Sequence, residues 1–376
     1  MTHPAAPSLP VAFDVGPLAG RRTGIGAGVA ALQATLAADD RVRLMPYLIS
    51  YRTDPAPAVR RLPLPAAVAH RLWGRFDHPR ADRGLDGAVV VHGTNYVVPP
   101  ARMPRVVSVY DCWFLRNPAQ AHPDVVRAGR VLDRAIRGGA VVHATSQATA
   151  NSVGELFPAA EVRVVHLAAL PLPEAPTNCP IAELEGHAFV VSVATLERRK
   201  NLPQLVRAFG EIASMHPELR LVLAGGDGDD RPMIDAAVDA LPPAIGARVL
   251  FTGYVAGSVR SWLLHNARVL AYPSLDEGFG FPLLDAMGTG VPIVASTAGS
   301  IPEIAGDAAL LAAADDLDGL AAALHRALTD DDERRRLVAA GIERRRQLSW
   351  SSTADQLIEL YRELTDRTQR TQRESA

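Results

Sequence analysis

Short apolar runs that alternate with helical segments are the feature that most constrains this fold. In the first half of the chain the runs are PVAFDV, RLMPYLIS, GAVVVHGTN, RVVSVYD, AVVHATS and EVRVVHLA. Most of them are uninterrupted by charge, as is typical of strands covered on both faces by helices. Segments with helical period, such as GIGAGVAALQATLAAD and HPDVVRAGRVLDRAIRG, lie between them. The alternation predicts α/β architecture with a doubly wound parallel sheet.

A proline-rich segment divides the chain into two such patterns. It reads PLPEAPTNCP from Pro171 to Pro180, and so much proline excludes a central strand or a helix interior. The alternation then resumes with FVVSVAT and continues to about Leu317, after which the sequence has mostly helical period. We therefore expect two domains, at residues 1–172 and 180–349, with a ligand-binding cleft between them. The polar end of the chain, TDRTQRTQRESA, is expected to be disordered.

Composition and charge exclude several classes of protein. The chain has 376 residues, enough for two hydrophobic cores, and a net charge of −2, which gives no general attraction to nucleic acid. Its two cysteines are too few for a disulfide framework. The sequence shows no apolar run of membrane-spanning length and no signal-peptide pattern at its N-terminus. These features predict a cytoplasmic protein.

The segment SLDEGFGFPLLDAMGTGVPIVAS places two acids, Glu277 and Asp285, on either side of a glycine-containing turn. A predicted strand precedes it, and Pro282 suits the first turn of a helix. Backbone N–H groups at a helix start favour phosphate, and carboxylates accept hydrogen bonds from hydroxyl groups. Either acid alone is more simply interpreted as a solvated surface residue. The whole arrangement instead predicts a site for a nucleotide sugar, which has a sugar at each end of a diphosphate.

The same segment resembles the Glu-x7-Glu loop of the retaining glycosyltransferases of family 4, with Asp in place of the second Glu. VATLERRKNLPQLVRAF is similar to the donor-diphosphate segment of that family, and GRRTGIG to its glycine-rich acceptor loop. LVLAGG, FTGYV, GSIPEIAGDAALL and LSW follow in family order. The resemblance covers nearly the whole chain. It implies the GT-B fold, with two Rossmann-like doubly wound domains and an interdomain cleft, and a helix at 350–365 that packs back on the first domain.

The resemblance also implies how donor contacts are divided. Glu277 would contact hydroxyl groups of the donor sugar, and Asp285 would contact the nucleotide ribose. Lys200 and Arg199 would neutralise the leaving diphosphate, because fixed cations stabilise negative charge best in a dry site. A solvated basic turn is the alternative for these two cations. The other predicted donor-binding residues are Thr195, Gly278, Phe279, Gly280, Phe281, Pro282 and Leu283.

The sequence departs from the family pattern in both domains. Tyr110 replaces a histidine that many members have near the anomeric carbon, and Thr195 stands where many have an arginine, a role that Arg199 could take over. Asp111 ends an apolar strand, which suits either a catalytic residue or a turn cap. His92 also ends a strand, where a lone histidine is more often a structural hydrogen-bonding residue. The predicted acceptor-side residues are Gly24, Gly26, Tyr110 and His92.

Two further segments concern metals and membranes. GGDGDD contains Asp-x-Asp, but we interpret it as a strand-end loop, and we expect neither a metal nor another cofactor. Residues 60–83 hold six arginines and two aspartates around Leu72, Trp73 and Phe76. This basic helix either packs on the first domain with its charges outward or makes peripheral contact with an anionic membrane.

The predicted function is retaining transfer of a hexose from a nucleotide sugar, with GDP-mannose as the best donor candidate. The acceptor would be a hydroxyl group of a glycan, a lipid-linked molecule or a small molecule, reached at the inner face of the membrane. The alternatives are a sugar-nucleotide-binding protein without turnover and a UDP-sugar epimerase or phosphorylase of the same fold. A nicotinamide-dependent oxidoreductase is disfavoured, because GIGAGV does not complete a G-x-G-x-x-G fingerprint.

Overall fold

The computed structural model describes residues 8–19, 24–50 and 56–374. Its chain forms two compact units: Met1–Leu167 together with Ser349–Ala376, and Ala168–Leu348. The proline-rich segment 171–180 contains no helix or strand and belongs to the second unit. Residues 20–23 of the predicted glycine-rich acceptor loop lie outside the described part of the chain.

Within the described residues, the first unit contains a seven-stranded parallel sheet in the order β3-β2-β1-β4-β5-β6-β7. The strands are β1 Leu9–Asp14, β2 Val42–Leu48, β3 Arg60–Arg61, β4 Val90–Gly93, β5 Arg105–Val109, β6 Val141–Ala144 and β7 Val162–Val164. The helices are α1 Gly24–Ala37, α2 Ala66–Phe76, α3 Trp113–Arg116, α4 Pro123–Arg137, α5 Gln147–Leu156 and, from the end of the chain, α14 Trp350–Glu374. The predicted doubly wound sheet is confirmed, and of the strands described here the two-residue β3 was not predicted.

The last helix, α14, packs on the first unit against α1 and β4, with Leu357, Ile358 and Tyr361 buried. It continues to Glu374, so the expectation that the polar tail is disordered is wrong. Ion pairs explain the difference. Arg367 lies 2.7 Å from Glu363 one turn earlier in α14, and 2.8 Å from Glu161 beside β7.

The second unit repeats the architecture with six parallel strands, among the residues described, in the order β10-β9-β8-β11-β12-β13. The strands are β8 Phe189–Val193, β9 Arg220–Ala224, β10 Val249–Gly253, β11 Val269–Tyr272, β12 Ile293–Ser296 and β13 Ala309–Ala312. The helices are α6 Leu202–Ile212, α7 Arg231–Asp239, α8 Pro243–Gly246, α9 Gly257–Asn266, α10 Phe281–Thr289, α11 Ile301–Ala305, α12 Leu317–Thr329 and α13 Asp331–Gln347. Strand β13 was not predicted, because it is short and only its last residue is buried.

A buried polar network joins the strands of the first unit to α14. His92 is fully buried; its Nδ1 lies 2.6 Å from the Tyr361 hydroxyl and its Nε2 2.8 Å from the Ser108 hydroxyl. Ser108 Oγ also lies 2.9 Å from Nδ1 of His143, whose Nε2 lies 3.0 Å from the Val165 carbonyl oxygen. Both ring nitrogens of His92 are thus hydrogen-bonded in the core, as in the structural interpretation given above for a lone histidine, and an acceptor-side role for His92 stays a prediction.

Replacing Ser108 by alanine should destabilise this network. The hydroxyl group serves two buried histidine rings, and a buried polar group that loses its partner costs about 1–3 kcal/mol. We expect Ser108→Ala to lower the free energy of unfolding in urea at pH 7 by at least that amount. Ser351→Ala, at an exposed position of α14, is the matched control and should change it by less than about 0.5 kcal/mol. Equal stability of the two variants would contradict a stabilising role of the Ser108 hydroxyl in this network.

Candidate functional site

A buried ion cluster lies beyond the carboxyl ends of β8 and β11. Glu277, in the loop after β11, is 6% exposed. Its Oε1 accepts a hydrogen bond of 2.5 Å from Lys200 Nζ, and its Oε2 one of 2.9 Å from Arg199 Nη1. Lys200 Nζ also donates to the Tyr272 hydroxyl at 3.3 Å. The structure thus brings together three of the residues that the sequence predicted as catalytic.

Backbone and amide contacts hold the two segments of this cluster in place. The backbone N–H of Leu275 donates to the Arg199 carbonyl at 2.7 Å. The side-chain amide of Asn201 donates to the carbonyl oxygens of Pro273 at 3.2 Å and Ala314 at 2.8 Å. Asn201 has a φ of 53°, a left-handed conformation that asparagine tolerates well, and it directly precedes α6. The turn carrying the cations is therefore fixed against the loop carrying the acid.

Gly299 allows a third segment to approach the same loop. It has a φ of 56°, and a Cβ atom there would collide with the backbone nitrogen and oxygen of Glu277. The following residue, Ser300, donates its N–H to the Glu277 carbonyl at 2.8 Å. Neither Gly299 nor Asn201 was among the predicted site residues. Their only sequence signal is a residue type that tolerates positive φ, placed after a predicted strand.

Opposing effects set the charge of the cluster. Burial raises the pKa of Glu277, but Lys200 and Arg199 outweigh burial and hold that pKa at about 2. Burial lowers the pKa of Lys200, and the Glu277 carboxylate offsets part of this decrease. Glu277 is therefore ionised at neutral pH. It can accept hydrogen bonds from hydroxyl groups, but it has no proton to donate.

Asp285 has a different environment. It lies one turn into α10, which begins after Gly280 in a left-handed conformation, and it is 2% exposed. Arg260 Nη1 lies 3.2 Å from its Oδ2, yet neither carboxylate oxygen accepts a hydrogen bond from a residue that the structure describes. Burial raises the pKa of Asp285 to about 6, and Arg260 and Arg345 offset only part of the increase. Buried acceptors of this kind suit the hydroxyl groups of a ligand.

The other predicted donor-side residues surround the start of α10. Residues 278–280 are buried in the loop, Phe281 and Pro282 are half-buried, and Thr195 is exposed after β8. Their predicted roles stay predictions. The Leu283 side chain is fully buried and its N–H donates to the Gly280 carbonyl at 3.0 Å; its role in donor binding also stays a prediction.

The predicted site residues of the first unit lie at the start of α1 and after β5. Gly24 and Gly26 begin α1. Tyr110 is buried, and its hydroxyl donates to the Thr94 carbonyl at 2.9 Å. Asp111 Oδ1 accepts the Trp113 N–H at 3.1 Å, so the turn-capping interpretation of Asp111 describes its observed contact. A catalytic role for Asp111 stays a prediction.

Both aspartates of the Asp-x-Asp segment contact other residues of the second unit. Asp227 pairs with Arg231 at 2.8 Å, and Asp229 accepts the Arg198 N–H at 3.1 Å. In the part of the chain that the structure describes, no group of three or more histidine, cysteine or acidic residues is arranged to hold a metal ion.

The basic helix α2 packs against α4, with Ala69 and Trp73 buried. Its outer face exposes Val68 and Phe76, at 45% and 53%. Arg75 lies over the Phe76 ring at 5.4 Å. No helix within the described ranges is both long and apolar enough to cross a membrane.

Removing the buried charge of Asp285 should stabilise the ligand-free protein. The folded-state pKa of about 6 exceeds the ordinary 3.8, so the folded state holds a proton that the unfolded state releases. Stability is therefore lost as pH rises from about 4 through about 6, by roughly 3 kcal/mol in total. We expect Asp285→Asn to raise the free energy of unfolding at pH 8 by roughly 1–3 kcal/mol, and by less at pH 5. Urea denaturation at both pH values measures this.

Asp239→Asn, at an exposed position of α7, is the control and should show no such pH-dependent gain. A destabilised Asp285→Asn at pH 8, or a gain that does not grow with pH, would contradict the interpretation of Asp285 as a buried acid without hydrogen bonds.

Comparison with known proteins identifies the family. Residues 180–344 match the sequence profile of the glycosyl transferases group 1. The chain is 30% identical over 288 residues to the O-antigen chain mannosyltransferase B of Escherichia coli, covering 73% of this chain and 74% of that protein. It is 31% identical over 168 residues to a phosphatidyl-myo-inositol mannosyltransferase of Mycolicibacterium smegmatis, covering 44% of this chain and 42% of the relative.

Solved structures show the same fold. Sucrose-phosphate synthase of Thermosynechococcus elongatus aligns with a TM-score of 0.70 at 22% identity, covering 95% of this chain and 99% of that one. HepE of Anabaena, solved with UDP and glucose, aligns with a TM-score of 0.68 at 17% identity, covering 94% and 99%. The predicted GT-B fold, with two Rossmann-like units, is confirmed. The extent of the match to the Escherichia coli relative also decides the family: this chain belongs to the group 1 glycosyltransferases, enzymes that transfer a sugar from a nucleotide-sugar donor.

Proposed function

We propose that the protein transfers a mannosyl group from GDP-mannose to an acceptor hydroxyl group, with retention of anomeric configuration. The observation that carries the proposal is the ion cluster of Glu277, Lys200 and Arg199 beside the start of α10. Mannose is favoured because the relatives described above are named mannosyltransferases. The epimerase alternative gains no support from these comparisons.

The cluster can exchange partners when the donor binds. Without donor, the two cations neutralise Glu277. A bound diphosphate would share Lys200 and Arg199 with that acid, and charge-assisted bonds to phosphate oxygens are among the stronger hydrogen bonds. As the bond between sugar and phosphate breaks, negative charge grows on the phosphate, where fixed cations stabilise it most. Glu277 would then accept hydroxyl groups of the sugar, and Asp285 those of the ribose.

Retention is proposed to follow from attack on the face that the leaving group vacates. The new bond joins the acceptor oxygen to the anomeric carbon as the bond to phosphate breaks. The acceptor proton passes to the leaving phosphate oxygen. Glu277 does not act as a general acid in this scheme, because its pKa of about 2 leaves it ionised at neutral pH.

No divalent metal is required in the proposed reaction, because Lys200 and Arg199 supply the positive charge. We expect full turnover after treatment with EDTA. Loss of turnover that magnesium or manganese restores would contradict this expectation and would direct attention to Asp227 and Asp229.

The acceptor is proposed to be a glycan or a lipid-linked molecule, met at the inner face of the membrane. Support comes from helix α2 and the segment after it, within residues 60–83. Val68 and Phe76 are exposed beside Arg71 and Arg75, a combination suited to an anionic lipid surface. The packing of Trp73 against the first unit is equally compatible with a helix that only presents its charges to water.

Calorimetric titration with GDP and GDP-mannose can distinguish the proposed roles of Asp285 and Glu277. Asp285→Asn should weaken both ligands to a similar extent, about tenfold, because the ribose is common to both. Glu277→Gln should weaken GDP-mannose but not GDP, because it removes a sugar contact and leaves the cations to the diphosphate. Asp239→Asn is the control. If Asp285→Asn weakens only GDP-mannose, the two roles are reversed; if neither variant changes either affinity, the donor binds elsewhere.

A further inference from the structure

A second cluster of buried polar groups lies in the first unit, at a place where parallel sheets bind ligands. The chain runs outward from β1 through β2 to β3, and then returns to β4 on the other side of β1. The strand order therefore reverses between β1 and β4. In open α/β sheets, ligands bind beyond the carboxyl ends of the strands at such a reversal.

Asp14 is the last residue of β1 and lies at this point of reversal. It is 6% exposed, and its Oδ1 accepts the Gly16 N–H at 2.8 Å. Thr94, directly after β4, donates its hydroxyl to the Asp14 carbonyl at 2.9 Å. Burial raises the pKa of Asp14 to about 7, and the backbone N–H groups of Gly16 and Thr94 offset only part of the increase. The carboxyl group can therefore both donate and accept hydrogen bonds at neutral pH.

Two buried polar groups, one on β2 and one shortly after β4, have no hydrogen-bond partner among the residues described. Tyr47 pairs with Asp14 in the β1–β2 register, is fully buried, and its hydroxyl makes no hydrogen bond. Residues paired on neighbouring strands point to the same face of the sheet, so the Tyr47 and Asp14 side chains lie on one face. Burial raises the pKa of Tyr47, and the Asp14 carboxylate raises it further. The side-chain oxygen of Asn95, next to Thr94, is also buried without a partner. Buried groups without partners are uncommon in folded proteins and require a reason.

We propose that Asp14 and Tyr47 form the binding site for a hydroxyl group of a sugar acceptor. Together the two residues offer a carboxyl group and a phenolic hydroxyl. This mixture of donors and acceptors suits sugar hydroxyl groups, which also donate and accept. An anionic ligand would be repelled by the carboxylate. The assignment of an acceptor rests on the proposed transferase function, whereas binding of a hydroxylated ligand does not.

Asp14 was not among the predicted site residues, although it ends an apolar strand as His92 and Asp111 do. Tyr110, which was among them, donates to the carbonyl of Thr94, and Thr94 in turn contacts Asp14. The pKa of Tyr110 is raised by burial and then by the Asp14 carboxylate. The predicted acceptor side and the cluster at Asp14 therefore lie at the same edge of the sheet.

Tyr47→Phe is the sharper test, because it removes only a hydroxyl group that has no hydrogen-bond partner among the described residues. The probe is methyl α-mannopyranoside, observed by saturation-transfer NMR with the full chain and without donor. We expect a signal with the wild type, a weaker one with Tyr47→Phe, with affinity lower by about threefold to tenfold, and loss with Asp14→Asn. The thermal stability of Tyr47→Phe should be unchanged or higher. Tyr254→Phe, at an exposed tyrosine of the second unit, is the control.

A second measurement separates this inference from the proposed function. GDP should bind Tyr47→Phe and Asp14→Asn with wild-type affinity, while the KM for methyl α-mannopyranoside in transfer from GDP-mannose rises at least threefold in both. Absence of probe binding to the wild type, or wild-type probe affinity in folded Tyr47→Phe, would overturn the inference. Probe binding that needs Tyr47, in a protein without affinity for GDP-mannose, would instead contradict the proposed donor and leave the site at Asp14 supported.

Discussion

The buried contact of Glu277 with Lys200 and Arg199 is the interaction on which the second unit's site depends. Burying charges is costly, and a pair of this kind is often less stabilising than well-packed apolar residues. The cost is tolerated here because both carboxylate oxygens are bonded to cations. The cluster also fixes the turn before α6 against the loop after β11, two segments far apart in the sequence. An arrangement that costs stability and positions charge at a strand edge is typical of a functional site.

The pKa values of two acids eight residues apart are shifted in opposite directions by their surroundings. The pKa of Glu277 is about 2, because two cations outweigh its burial, whereas the pKa of Asp285 is about 6, because burial outweighs two arginines. In the first unit, Asp14 resembles Asp285, with a pKa raised by burial to about 7. Both raised acids make the ligand-free fold less stable at neutral pH. Ligand hydroxyl groups that hydrogen-bond to Asp14 and Asp285 would offset this loss of stability. Ligand binding would therefore increase the stability of the fold.

The sequence predicted the features that depend on local pattern. Unbroken apolar runs and turn residues located the strands, and Pro282 and the glycines located the loop and the start of α10. Features that depend on distant contacts were not predictable in this way. Arg260 beside Asp285 and Gly299 against Glu277 follow from packing between segments, and so do the ion pairs that join Arg367 of α14 to Glu363 and to Glu161 beside β7. The direction of a side chain at a strand end also escaped prediction: His92 points into the core, whereas Asp14, passed over, lies at the edge where the strand order reverses.

The central claim is that the second unit binds a nucleotide sugar through Asp285 and the cluster at Glu277. Thermal unfolding of the full chain with GDP-, UDP-, dTDP- and ADP-sugars tests it most directly, because a ligand that binds the folded state raises the Tm by an amount that grows with the logarithm of its concentration relative to its Kd. We predict that GDP-mannose gives the largest rise in wild type and a clearly smaller rise, at the same concentration, in Asp285→Asn. If no nucleotide sugar raised the Tm, or if Asp285→Asn responded as the wild type does, the account would be contradicted.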